Sequence, residues 1–140
     1  MSAQYSDDYS PPAPVLEVFF GVPGERPTSG PFEAMLDTGA DMTVAPKAIL
    51  LDLGTPSLFE AQLRSPWGEL HEVIIYLADL QIGPARLPGI YVAADETAAE
   101  ITIGRNALNK LPLFLDGPKQ VTEILDEAAV KRLRTRQARK

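Results

Sequence analysis

The sequence predicts a mainly β, single-domain protein on three observations. Short apolar runs rich in β-formers recur along the chain, turn residues separate them, and one short segment within the domain has helical spacing. At 140 residues, one core is the expectation rather than two. A hydrophobic fraction of 45% is ordinary for a globular chain and is enough to bury that core.

Residues 1–14 (MSAQYSDDYSPPAP) are polar and proline-rich, which predicts a disordered or extended lead-in. The domain is expected over 15–125, beginning with a strand over Val15–Val22 and a turn over Pro23–Pro31. Phe32–Leu36 alternates toward Asp37 as a second strand, Thr43–Val44 restarts extended structure, and Pro46–Leu53 has room for a helical turn. Leu58–Leu63 and Glu69–Leu77 read as strands around Arg64-Ser65-Pro66-Trp67-Gly68, where Pro and Gly suit a hairpin tip. Val73–Leu77 is nearly continuous in apolar residues, as in a strand buried on both faces. Leu80–Ile82, Ile90–Ala93 and Ile101–Ile103 are further short strands. Asn106–Leu111 has helical spacing and stops at Pro112, and Leu113–Leu115 pairs with Gln120–Leu125. Residues 126–140 form a basic helix or tail, whose acidic start and basic end complement a helix dipole.

Charge and composition exclude several functions. The formal net charge is −6, which argues against nucleic-acid binding by the body of the domain. Residues 131–140 hold six basic residues and no acidic one, so the other 130 carry −12. The chain has no cysteine, which removes disulfides and thiolate chemistry. His71, the single histidine, makes neither a Ser-His-Asp triad nor a multi-histidine metal site a natural reading, and it is treated as incidental. No basic segment leads into an apolar stretch and no run approaches membrane-spanning length. A soluble cytoplasmic protein without signal peptide or membrane association is therefore the expectation.

Ala34-Met35-Leu36-Asp37-Thr38-Gly39-Ala40-Asp41-Met42-Thr43-Val44 is the segment richest in chemistry. An ionisable Asp directly follows an apolar strand and precedes a glycine that permits a sharp turn. Such a turn holds a carboxylate at a strand end, beside backbone N–H groups and a Thr hydroxyl. The bare tripeptide also has a plain reading as a strand-to-turn transition, where Asp and Gly are common.

The segment resembles the active-site loop of the retropepsin-like aspartic peptidases, in which apolar residues precede Asp-Thr-Gly-Ala and more apolar residues follow. A second block, Ile101-Thr102-Ile103-Gly104-Arg105-Asn106-Ala107-Leu108, is similar to the family's apolar-apolar-Gly-Arg-Asn/Asp segment that opens its single helix. The blocks lie in the family's order with the hairpin between them, and Leu113–Ile124 resembles the closing strand pair of bacterial members. The likeness spans roughly residues 15–125. It implies a closed acid-protease barrel with one short helix in its C-terminal half, working as a symmetric homodimer on peptide or protein substrates. No metal or organic cofactor is implied.

Peptide hydrolysis by this route needs two nearby carboxylates sharing a proton, one as general base toward a water and the other as acid. The chain has one Asp-Thr-Gly, and Asp116-Gly117 lacks the hydroxyl residue. The resemblance therefore requires Asp37 to meet its symmetry mate across a two-fold axis. It further implies that Thr38 locks the two loops together, that the Gly39 carbonyl accepts a substrate N–H, and that Ala40 and Asp41 contact substrate. Asp41 is expected to pair with Arg105, and Asn106 to cap or brace the helix start. Leu63–Leu70 becomes the flap, with Trp67 and Gly68 at its tip against substrate or the opposite flap. Typical flaps carry more glycine than this one. A Trp67 that packs elsewhere is an equal alternative. Two rival readings stand beside the peptidase: the same fold as a catalytically weak or inactive peptide-binding or dimerisation module, and an unrelated small β-barrel whose basic tail binds nucleic acid.

Overall fold

The computed structural model describes residues 1–65 and 67–139. Its strands are β1 (Ser2–Gln4), β2 (Val15–Gly21), β3 (Ser29–Leu36), β4 (Thr43–Pro46), β5 (Ser57–Arg64), β6 (Leu70–Ile82), β7 (Ala85–Asp95), β8 (Ile101–Ile103), β9 (Leu113–Asp116) and β10 (Val121–Ile124). The helices are α1 (Lys47–Leu53), α2 (Arg105–Leu108) and α3 (Glu127–Ala138). The fold is mainly β. The expectation of one short helix undercounts: α1 is a complete helix, anchored by the buried Leu50 and stopped at Gly54, whose N–H reaches the Leu50 and Leu51 carbonyls.

The main sheet runs β2-β3-β8-β4-β7-β6-β5, and β2 also pairs with β6. That extra pairing closes β2, β3, β8, β4, β7 and β6 into a barrel and leaves β5 hanging outside the closure. Inward residues alternate along β2, so Leu16, Val18 and Phe20 are buried while Glu17 is exposed. They join Leu80, Ile82, Val92 and Ile103 in one core. A separate small sheet runs β1-β10-β9, so the lead-in supplies a paired strand. Its polar residues tolerate this because β1 lies at the edge, with only Ala3 half-buried.

Leu80–Ile82 reads as a separate strand in sequence, because Asp79 interrupts the apolar pattern. In the fold, β6 continues through it with an irregularity between Ala78 and Leu80. Asp79 is 2% exposed, and its carboxylate accepts hydrogen bonds from Gly24 N (3.0 Å), Gly89 N (2.8 Å) and Arg86 Nη2 (3.3 Å). Arg86 also donates to the Glu25 carbonyl at 2.8 Å. One carboxylate thus ties the β2–β3 turn and β7 to β6. Burial pushes the Asp79 carboxyl up, but the Gly89, Gly24 and Arg86 donors outweigh it and hold the group below the ordinary aspartate range.

A depressed folded-state pKa stabilises the fold above the unfolded value, near ~3.9, and that contribution is lost as pH falls through the folded value. Asp79→Ala should cost about 2–4 kcal/mol in urea unfolding at pH 7, because two backbone donors and a guanidinium lose their acceptor. The stability gap between the parent and Asp79→Asn should shrink on acidification below about pH 4. A gap that holds constant through that range would exclude the carboxylate as its source.

Candidate active site

Asp37 is the first residue beyond β3, and it is half-buried. Its position follows from β8, which lies between the two strands flanking the loop. Leu36 pairs with Ile103 in parallel on one side of β8, and Val44 pairs with Thr102 in antiparallel on the other. The loop is then laced to the start of α2 by backbone bonds. Asp37 N donates to the Ile103 carbonyl (3.0 Å), Arg105 N to the Ala40 carbonyl (2.8 Å) and Asn106 N to the Asp41 carbonyl (3.3 Å). The Arg105 side chain adds Nη1 to the Thr38 carbonyl at 2.8 Å.

Two glycines make the geometry possible. A Cβ on Gly104 would sit 2.4 Å from the Met42 carbonyl carbon and oxygen, so only glycine lets the second block lie against the first. Gly39 donates its N–H to Asp37 Oδ1 at 2.9 Å, and a Cβ there would crowd that same oxygen at 3.1 Å. The carboxylate is thereby aimed by its own loop.

Asn106 braces rather than caps. The helix begins after Gly104 without a side-chain cap, while Asn106 Oδ1 accepts from both Thr43 N (3.0 Å) and Thr43 Oγ1 (2.8 Å). Thr43 is fully buried, and its hydroxyl accepts from Gly104 N at 3.2 Å. Asn106 Nδ2 donates to the Tyr91 carbonyl at 2.8 Å, which adds β7 to the clamp. Thr43 was not among the residues singled out in sequence. A threonine at a core-facing strand position is the signal that would have found it.

The expected Asp41–Arg105 ion pair does not form among the described residues. Arg105 spends its guanidinium on the Thr38 carbonyl, and Asp41 is exposed and joined to α2 through its backbone. Thr38 and Gly39 are also exposed.

Asp37 and Ala40 open onto a groove of about 720 Å³. Leu63, Arg64, Ser65, His71 and Val73 of the β5–β6 hairpin form one wall, and the turn after β7 forms another. The hairpin tip closes through Ser65 N to the Glu69 carbonyl (2.8 Å) and Gly68 N to the Ser65 carbonyl (2.9 Å). Pro66 lies outside the described residues. Trp67 and Gly68 do not line the groove, and Trp67 is 90% exposed at the tip. His71, treated as incidental in sequence, is a groove residue, as are Lys47 and Asp95. They escape motif reading because three separate segments bring them together. Among the described residues, no helix is long and apolar enough to cross a membrane.

Asn106→Ala should lower stability by about 2–3 kcal/mol, since a buried N–H and hydroxyl lose their shared acceptor. Asn106→Asp retains that oxygen but not the donor to Tyr91, and should fall between in thermal and urea unfolding. Equal losses for the two variants would assign the effect to Tyr91 rather than Thr43.

No family model matches the chain, and no curated protein matches it in sequence. Solved structures do. The chain superposes on a retropepsin-like aspartic protease from Rickettsia conorii with a TM-score of 0.57 at 15% identity, covering 87% of this chain and 86% of that one. The retroviral protease-like domain of Ddi1 from Leishmania major gives a TM-score of 0.49 at 17% identity, with 79% and 87% covered. The protein has a retropepsin-like fold.

Proposed function

We propose that the chain is an aspartic endopeptidase that works as a homodimer, with Asp37 of each copy forming the catalytic pair. The observation that carries this reading is the placement of Asp37. Its carboxylate is oriented by Gly39 N–H in the lining of a groove shared with the β5–β6 hairpin, in a loop that the β8–α2 segment braces. A group so constrained is pre-organised for chemistry on a bound ligand. An extended peptide suits a groove with a strand hairpin along one side.

One carboxylate per chain cannot supply both a base and an acid. In a pair, the ionised member takes a proton from water as that water attacks the carbonyl carbon. The protonated member donates to the carbonyl oxygen and later helps proton delivery to the leaving nitrogen. A second copy supplies the missing group. Two features support such a copy: Thr38 and Gly39 are exposed beside Asp37, and strand β9 of the small sheet exposes Phe114 and Leu115. Thr38 would then bridge to its mate, the Gly39 carbonyl would accept a peptide N–H, and the hairpin with Trp67 would close over the bound chain.

Digestion of a peptide library by the parent and by Asp37→Asn is the direct test. The parent should cleave, and the variant should lose at least about a thousandfold in kcat/KM. Its melting temperature should stay close to the parent's, because asparagine keeps the shape and the Oδ1 acceptor for Gly39 N–H. Sedimentation should show a dimer whose dissociation on dilution parallels loss of activity. Equal cleavage by both proteins would sink the assignment of Asp37. No cleavage by a dimer over a broad pH range would leave a peptide-binding module.

A further inference from the structure

The groove over Asp37 has a charge that its hydrolytic role does not require. The turn from β7 to β8, residues 95–100, reads Asp-Glu-Thr-Ala-Ala-Glu, with three carboxylates and no cation. All three of them line the groove. Glu60 and Glu72 add two more from the hairpin, while Lys47 and Arg64 are the permanent cations of the lining.

Most of this negative charge is left uncompensated within the chain. Lys47 Nζ is spent on Glu96 Oε1 at 3.0 Å. Glu60, Glu72 and Glu100 form no ion pair among the described residues. Asp95 has one oxygen, Oδ1, occupied by Thr97 N (2.8 Å), Thr97 Oγ1 (3.0 Å) and Ala98 N (3.1 Å). Burial pushes its carboxyl up, but those donors outweigh it, so the group stays ionised near neutrality. His71 lines the same groove, with its Nε2 3.7 Å from Glu69 Oε2.

Apolar surface lies among the charges. Val44, Val73, Ala94 and Ala98 contribute to the same lining. Apolar surface interspersed with carboxylates suits a side chain that has a long hydrocarbon stem and a cationic head. Lysine and arginine have that form. A glutamate side chain would meet the same apolar surface but would be repelled by the carboxylates.

We propose that this groove selects peptides carrying Lys or Arg beside the bond to be cut, with the Asp95–Glu100 turn as the wall that reads them. The inference rests on Asp37 marking the peptide site, and it goes beyond that reading by naming the substrate class. Charge complementarity of this kind acts on encounter and on discrimination against the wrong partner. It weakens as salt screens the groove.

The test uses the full chain and three fluorogenic peptides that differ only at the two residues flanking the cleaved bond, which are Lys, Leu or Glu. The Lys peptide should exceed the Glu peptide in kcat/KM by roughly tenfold or more at low salt, and the ratio should shrink severalfold at about 0.5 M salt. The double variant Glu72→Gln/Glu100→Gln should move the ratio toward one. Fluorescence anisotropy of the same peptides on Asp37→Asn separates this inference from the peptidase reading. Lys-selective binding without turnover by the parent would uphold the groove and remove the peptidase. Turnover with equal rates for Lys and Glu peptides, or a ratio unmoved in the double variant, would overturn the groove inference and leave the peptidase. Binding of none of the peptides, with no turnover, would overturn both.

Discussion

The contact between the Asp37–Asp41 loop and the start of α2 is the constraint on which the site depends. The absence of a side chain at Gly104 lets two backbones meet where a Cβ would lie 2.4 Å from Met42. Once they meet, the carbonyls of Ala40 and Asp41 find donors in Arg105 and Asn106, and the Thr38 carbonyl finds the Arg105 guanidinium. The loop would otherwise place several carbonyls at a strand end with water as their only partner. Here they hold a carboxylate in one orientation. Asn106 then extends the same network inward to Thr43 and across to β7. The loop backbone is therefore held by the barrel, while Gly39 N–H aims the carboxylate within the loop.

A second polar centre does for the closure what Asn106 does for the site. Asp79 interrupts an apolar strand, yet the strand runs on because three donors converge on its carboxylate. Buried polar groups of this sort are costly when unpaired and specific when paired. Each centre joins segments distant in sequence: Asp79 meets the β2–β3 turn, and Asn106 meets the loop after β3. The apolar core supplies most of the burial, and these two side chains select which turns lie together.

The retropepsin-like fold at 15% identity to a solved protease fits this division of labour. A barrel core can change nearly every residue while volume and alternation are kept. A close backbone approach, a braced loop and a glycine beside a carboxylate tolerate far less. The groove walls come from the β5–β6 hairpin and the β7–β8 turn, outside the bonds that hold the Asp37 loop to the start of α2.

Local chemistry made much of this legible in sequence. The period-two alternation of β2, the turn residues between strands, and the two blocks around Asp37 and Gly104 are local signals, and the mainly β fold followed from them. Residues 101–103 read as a strand, and residues 126–140 as a basic helix or tail with an acidic start, because neighbours a few positions apart govern such elements. What sequence could not show depends on distance. The resemblance implied an Asp41–Arg105 pair, but Asp41 is exposed and Arg105 reaches the Thr38 carbonyl instead. β6 continued through Asp79 because its donors lie up to 55 residues away. Local pattern carried the periodicities, the special glycines and the one Asp-Thr-Gly loop. Which buried polar groups found partners, and which charges shared a groove, depended on the fold, because hydrogen bonds and fields act through space between segments that a linear pattern keeps apart.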